Sequence, residues 1–148
     1  TMLAAMVYQK CEKVLVIVPS DSLRTQISNK FLNLGYLPEL GVVPNEINLP
    51  AVATIKSRIR TLEEADNLAD ASNVVIATTS ALSACDERAI DRLCERCSHL
   101  FVDEAHHISA KSWLEVRERF KGKRVIQFTA TPFRNDKKIG FLSQASWI

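Results

Sequence analysis

The stretch Leu100-Phe101-Val102-Asp103-Glu104-Ala105-His106-His107 decides how the rest of the chain is read. An uninterrupted apolar run meets two carboxylates and then two imidazoles. A short apolar run that does not alternate with polar residues reads as a strand buried on both faces. Runs of the same kind, rich in β-branched residues, stand at Val14–Val18, 74–77 and 125–128. Residues 51–55 are expected to add a further short strand.

Helical spacing fills the intervals. One helix is expected over residues 2–11. A second starts at Ser20 or Asp21, either a suitable N-cap, carries Leu23, Ile27, Phe31 and Leu34 on one stripe, and stops at Gly35 as C′ residue. A third covers 60–71. A fourth, over 86–97, aligns Ala89, Ile90, Leu93 and Cys97, and a fifth, over 110–120, aligns Trp113, Val116 and Phe120. Residues 36–50, with three prolines and Gly41, read as an irregular connection. Strands alternating with helices predict an α/β fold: three layers around a mostly parallel sheet. No internal repeat or linker divides the chain, and 148 residues suit one domain.

Each apolar run gives way to polar residues. Pro19-Ser20-Asp21-Ser22 comes after the first, Thr78-Thr79-Ser80 after the next, Asp103-Glu104 after the third, and Thr129-Ala130-Thr131-Pro132 after the last. Hydroxyls and carboxylates thus gather at the C-terminal ends of parallel strands, the edge where open α/β sheets bind ligands. Two acids at a strand end can divide the work of phosphoryl transfer. One holds Mg²⁺, a hard cation that keeps several waters, and the other polarises the attacking water. The plainer alternative is an N-cap and helix-dipole pair for a following short helix.

In this order and spacing the motifs resemble those of the superfamily 2 helicases and translocases, specifically their first RecA-like (P-loop NTPase) domain. Asp103-Glu104-Ala105-His106 resembles the DEAH form of motif II, and Thr129-Ala130-Thr131-Pro132-Phe133-Arg134 the TATPFR form of motif III. The stretch from Pro19 to Gln26 resembles motif Ia, and the stretch from Ala77 to Leu82 motif Ib. The wording is most similar to the branch with the helicase subunits of type III restriction enzymes. The resemblance implies ATP and Mg²⁺ as ligands. It implies Asp103 as the Mg²⁺ residue, through water, Glu104 as activator of the hydrolytic water, and His106 as the link to Thr129 and Thr131 in motif III. Ser20, Arg24, Gln26, Thr78 and Thr79 match motifs that contact the nucleic-acid backbone, where hydroxyls and an arginine meet phosphates without reading sequence.

Two departures from the family pattern stand out. There is no Gly-x-x-x-x-Gly-Lys-Ser/Thr loop to cradle phosphates. Thr1 followed by Met2-Leu3-Ala4-Ala5 reads as the last residue of such a loop and its helix, so a start inside motif I is expected, with Thr1 at the nucleotide. A second RecA-like domain, the family's partner for closing the cleft, is also missing, and residues 140–148 read as the beginning of something more. The chain by itself is therefore expected to bind ATP weakly and hydrolyse it negligibly.

Composition sets bounds on the other readings. Hydrophobic residues at 47% and charged residues at 24% exclude a disordered tail, a collagenous repeat and a coiled coil. No apolar run spans a bilayer, and no signal peptide is read at the start. Net charge is only +2, but between Lys111 and Lys138 nine Lys/Arg face three Asp/Glu. That basic third could lie near phosphates or form a solvated helix face. Cys94, Cys97 and His99, with Cys85 upstream, could suggest zinc, and the C-x-x-C spacing a redox pair, but the four cysteines fit free thiols in a reducing, cytoplasmic setting better. His106 and His107 are adjacent and are expected to face different ways, which disfavours a metal pair. An N-terminal nucleophile at Thr1 is at odds with βα alternation. Trp113 is expected on the apolar face of its helix, and Trp147 is not placed by the pattern.

These readings combine into an ATP-dependent motor domain of a helicase or translocase, with DNA favoured over RNA. The rivals are an RNA helicase of the same fold and a non-catalytic RecA-like interaction module.

Overall fold

A computed structural model describes residues 1–44 and 46–129. Five parallel strands form one sheet: β1 (Val14–Val18), β2 (Val52–Thr54), β3 (Val74–Thr78), β4 (His99–Asp103) and β5 (Arg124–Phe128), in the order β2-β3-β1-β4-β5. The ladder sets Val14 opposite both Val74 and His99, and Leu100 opposite Val125. All five residues of β1 and of β3 are buried, as unbroken apolar runs require of central strands. The expectation of full burial fails for 125–128. β5 is an outer strand of the described sheet, and Arg124 and Gln127 are exposed.

The helices lie on both faces, giving the three layers of a RecA-like fold. On one face α1 (Met2–Tyr8) and α2 (Asp21–Asn33) cover Val14, Val16, Val18, Ile76 and Phe101. On the other, α3 (Leu62–Ala71), α4 (Thr79–Ser83), α5 (Glu87–Arg96) and α6 (Ala110–Arg119) help enclose Leu15, Ile17, Val75, Leu100 and Val102. Trp113, Val116 and Phe120 pack in this second cluster, as their helical spacing predicts. Trp147 lies outside the described residues.

Local chemistry starts and stops these helices. Ser20, Thr61, Thr78, Asp86 and Ser109 each accept an N-terminal backbone N–H of the next helix in the chain. Lys123 Nζ donates to the carbonyls of Cys94, Glu95 and Cys97 at 2.8, 2.8 and 2.9 Å, meeting the unpaired carbonyls and the negative dipole end of α5. α2 ends with Leu34 and Gly35 both left-handed, at φ 57° and 56°. Gly35 is the expected C′ residue, and a Cβ there would meet Leu3 Cδ1 at 3.1 Å. α1 is shorter than expected. Lys10 turns left-handed at φ 50°, and the Cys11 N–H closes back on the Met6 carbonyl, so the chain leaves the helix three residues early.

Candidate functional site

The strand order places a crevice. After β1 the chain turns toward β2 and β3, and after β4 it turns toward β5. β1 and β4 are neighbours, so their C-terminal ends flank a topological switch point, where α/β sheets open to ligands. Ser20 and α2 follow β1 there, and Asp103 and Glu104 stand at the end of β4.

Asp103 closes β4 and is partly buried. Burial, and next the charge of Glu104, push its carboxyl above the usual aspartate range. The positive charge of Lys30 and a backbone hydrogen bond from Glu104 pull against them. Lys30 was not legible as a site residue. It sits one position before the buried Phe31, and helical spacing alone carries no sign of its proximity to Asp103.

Glu104 turns the chain. Its backbone is left-handed, φ 46° and ψ 52°, a conformation that costs a residue with a Cβ roughly 1–2 kcal/mol. Its N–H donates to the Phe128 carbonyl at 2.7 Å, which ties this turn to the end of β5. Its side chain meets two others: His106 Nδ1 lies 3.0 Å from Glu104 Oε2, and the Thr129 hydroxyl donates to the same oxygen at 3.3 Å. Thr129 Oγ1 is also 3.3 Å from His106 Nδ1. Carboxylate, imidazole and hydroxyl form a closed triangle between the ends of β4 and β5. Strained backbone of this kind persists where surrounding contacts over-determine it, and it clusters at functional sites. Thr131, the other threonine expected in motif III, lies outside the described residues, as do residues 132–134.

The 3₁₀ turn Ala105–His107 carries the imidazoles. The expectation that adjacent histidines diverge does not hold, because their ring centroids are 4.1 Å apart. The tight turn draws the rings together, and His107 is exposed. Among the described residues no group of three or more His, Cys, Asp or Glu is placed to hold a metal ion.

The other sequence candidates divide into exposed and engaged groups. Ser20 and Gln26 are exposed at the start of α2, with Ser20 Oγ accepting the Leu23 N–H at 3.3 Å. Arg24 is almost enclosed, its side chain 11% exposed. Its Nη1 donates to the Ile55 carbonyl at 3.0 Å and pairs with Asp21 at 3.0 Å. Thr78 is buried, and its hydroxyl caps α4 and lies 3.0 Å from Ser80 Oγ, while Thr79 is partly exposed. Thr1 is the exposed N-cap residue of α1, without a side-chain cap bond. The far end of α1 is held at the opposite edge of the sheet, where Arg124 donates to the Gln9 side chain. The four cysteines are free thiols, and burial pushes Cys94 up to about 12 and Cys97 to about 11.

The family described as type III restriction enzyme, res subunit, matches residues 1–134 of this chain. The chain belongs to that family. The match spans every element of the sheet and the carboxylate–imidazole–hydroxyl triangle. As a res-subunit domain the chain is a helicase-type motor domain of the ATP-dependent kind. No curated protein matches it. No helix among the described residues is long and apolar enough to cross a membrane.

Proposed function

We propose that this domain binds and hydrolyses ATP to move a protein along nucleic acid, with DNA as the track. The observation that carries the reading is the Glu104–His106–Thr129 triangle, which joins the ends of β4 and β5 next to the switch point, beside an aspartate whose carboxyl burial pushes up.

Glu104 is the general base in this reading. It takes a proton from water as the water oxygen attacks the γ-phosphorus. The bond to the β–γ bridging oxygen breaks, and ADP leaves with that electron pair. His106 and Thr129 hold the Glu104 carboxylate in place. With Thr131 they pass the state of the nucleotide from the end of β4 to the end of β5, in the DEAH and TATPFR manner. Asp103 fits Mg²⁺: it is an all-oxygen ligand whose ionised form is disfavoured by burial and by Glu104, which a hard dication would reverse. When bound, Mg²⁺ supplies charge neutralisation on the phosphate oxygens. Thr1 lies at the nucleotide, and Ser20, Gln26 and Thr79 line the nucleic-acid side, with Arg24 fixing the start of α2 and the buried Thr78 hydroxyl fixing the start of α4 there. A second RecA-like domain is the partner that closes the cleft. Four free thiols suit a reducing compartment such as the cytoplasm.

The test is made in a protein carrying this domain together with a phosphate-binding loop and a second such domain. Glu104→Gln is expected to lower DNA-stimulated ATP hydrolysis by roughly 10²–10⁴-fold while nucleotide binding persists. An unchanged rate removes Glu104 from the mechanism. Stimulation by RNA alone replaces DNA as the track.

A further inference from the structure

One charged segment at this edge of the sheet belongs to none of the helicase-like motifs. Residues 47–62 contain three cations, Lys56, Arg58 and Arg60, and no acid. The three cations follow β2, so they stand at the same C-terminal edge as Thr78, Ser20 and Asp103.

The segment is an arch on fixed feet. Ile55 is 3% exposed and its N–H donates to the Ile76 carbonyl at 2.9 Å, extending the ladder past β2. Ile59 is 8% exposed, its N–H donates to Cys85 Sγ at 3.3 Å, and its carbonyl accepts the Asp86 N–H at 2.8 Å. Between these inward anchors Lys56, Ser57 and Arg58 are exposed, and Arg60 is exposed just beyond. The Arg60 N–H is held by Glu64 Oε2 at 2.6 Å. Arg24 reaches from α2 to the Ile55 carbonyl at 3.0 Å, joining the first foot to the motif Ia helix.

The cations are uncommitted. Among the described residues none of Lys56, Arg58 and Arg60 is in ion-pair reach of a carboxylate, whereas Arg92, Arg96 and Arg119 are each paired with acids. Three unpaired positive charges on a pinned backbone, with a hydroxyl among them, suit a row of anions that is met without reordering the loop. From β2 to β4 the sheet spans three strand spacings, about 14 Å. One extended polyanion can therefore lie over the arch and the Thr79 and Ser20 turns.

We infer that the arch of Lys56, Ser57, Arg58 and Arg60 is a phosphate-backbone clamp for a single nucleic-acid strand, with Arg24 as its positioning residue. This rests on the proposed nucleic-acid track and extends it to residues outside the motifs. The contact is electrostatic and independent of sequence.

The experiment is fluorescence anisotropy of this chain with a labelled single-stranded oligodeoxynucleotide across a NaCl series. The combined variant Lys56→Gln, Arg58→Gln, Arg60→Gln is compared with Lys111→Gln, Arg117→Gln, Lys121→Gln, which removes equal charge from α6 and the turn that follows it. The arch variant is expected to weaken binding at least about tenfold and to flatten the log K against log salt slope by about 2, from about 0.7 per lost phosphate contact. The α6 variant keeps the wild-type slope, and Arg58→Lys with Arg60→Lys retains binding. An arch variant with wild-type slope and affinity overturns the clamp and leaves the motor reading standing. Equal losses in both triple variants also overturn it, since net charge alone then explains binding. Wild-type protein that does not bind the strand overturns the clamp, whose three cations need no second domain, and leaves the motor reading to its own test. Arch-dependent capture of a poly-glutamate peptide, with oligonucleotide binding unchanged, assigns the arch to an acidic protein partner instead.

Discussion

Thr129 donates its hydroxyl to Glu104 Oε2 across 3.3 Å, joining the residue after β5 to the turn after β4. A second tie runs beneath it in the backbone, from the Glu104 N–H to the Phe128 carbonyl at 2.7 Å. The two strand ends can therefore shift together or apart only by changing a bond that holds the proposed base. That is a mechanical reason for a threonine here, and it separates coupling from chemistry. Thr129→Ala with Thr131→Ala is expected to lower strand displacement per ATP hydrolysed by about tenfold, the equivalent of one hydrogen bond to a charged group. Hydrolysis itself should fall less. Parallel measurement of unwinding and phosphate release checks this, and equal losses in both remove the coupling role.

The backbone at Glu104 makes a separate prediction about stability. Its left-handed φ of 46° strains any residue with a Cβ. Alanine there costs roughly 1–2 kcal/mol, while glycine costs about 0.4–1 kcal/mol through a freer unfolded chain. Glu104→Gly is thus expected to be more stable than Glu104→Ala by about 1 kcal/mol, the reverse of the order in a helix or strand. Urea denaturation of the two variants measures it. Alanine equal to or above glycine means that the turn is not left-handed in solution.

Much of this architecture was open to reading from the chain, and the misses have physical causes. Val14–Val18 reads as a central strand because burial on both faces leaves no room for alternation, and all five of its residues are buried. Val125 to Phe128 reads the same way but is half-exposed, since a run of residues does not reveal whether a strand is central or outer. α4 escaped because five residues are too few to display a 3.6-residue period, and its cap, Thr78, is indistinguishable in sequence from a hydroxyl meant for a ligand. The grouping of Asp103, Glu104, His106 and Thr129 was legible because parallel strands bring their C-terminal ends to one edge. Which of those atoms touch was not, as it depends on the left-handed turn at Glu104. The arch at 55–60 was missed because charge counted over long windows hides three cations inside a short acid-free interval.

Asp103 links the site to pH. Burial and the neighbouring Glu104 raise its carboxyl above the reference value of 3.8, so the folded chain holds this proton more tightly than the unfolded chain does. Stability then falls as pH rises from the unfolded value through the folded one, and above that window the ionised carboxylate is a constant cost. Replacing it with its neutral isostere removes the cost. Asp103→Asn is expected to be more stable than wild type at about pH 7, with a higher denaturation midpoint, and to lose that advantage near pH 4 as the wild-type carboxyl becomes protonated. Chemical denaturation of both proteins across that range decides it. A variant less stable than wild type at neutral pH shows that the ionised carboxylate is favoured in the fold, and Asp103 then has no unmet charge with which to attract a cation.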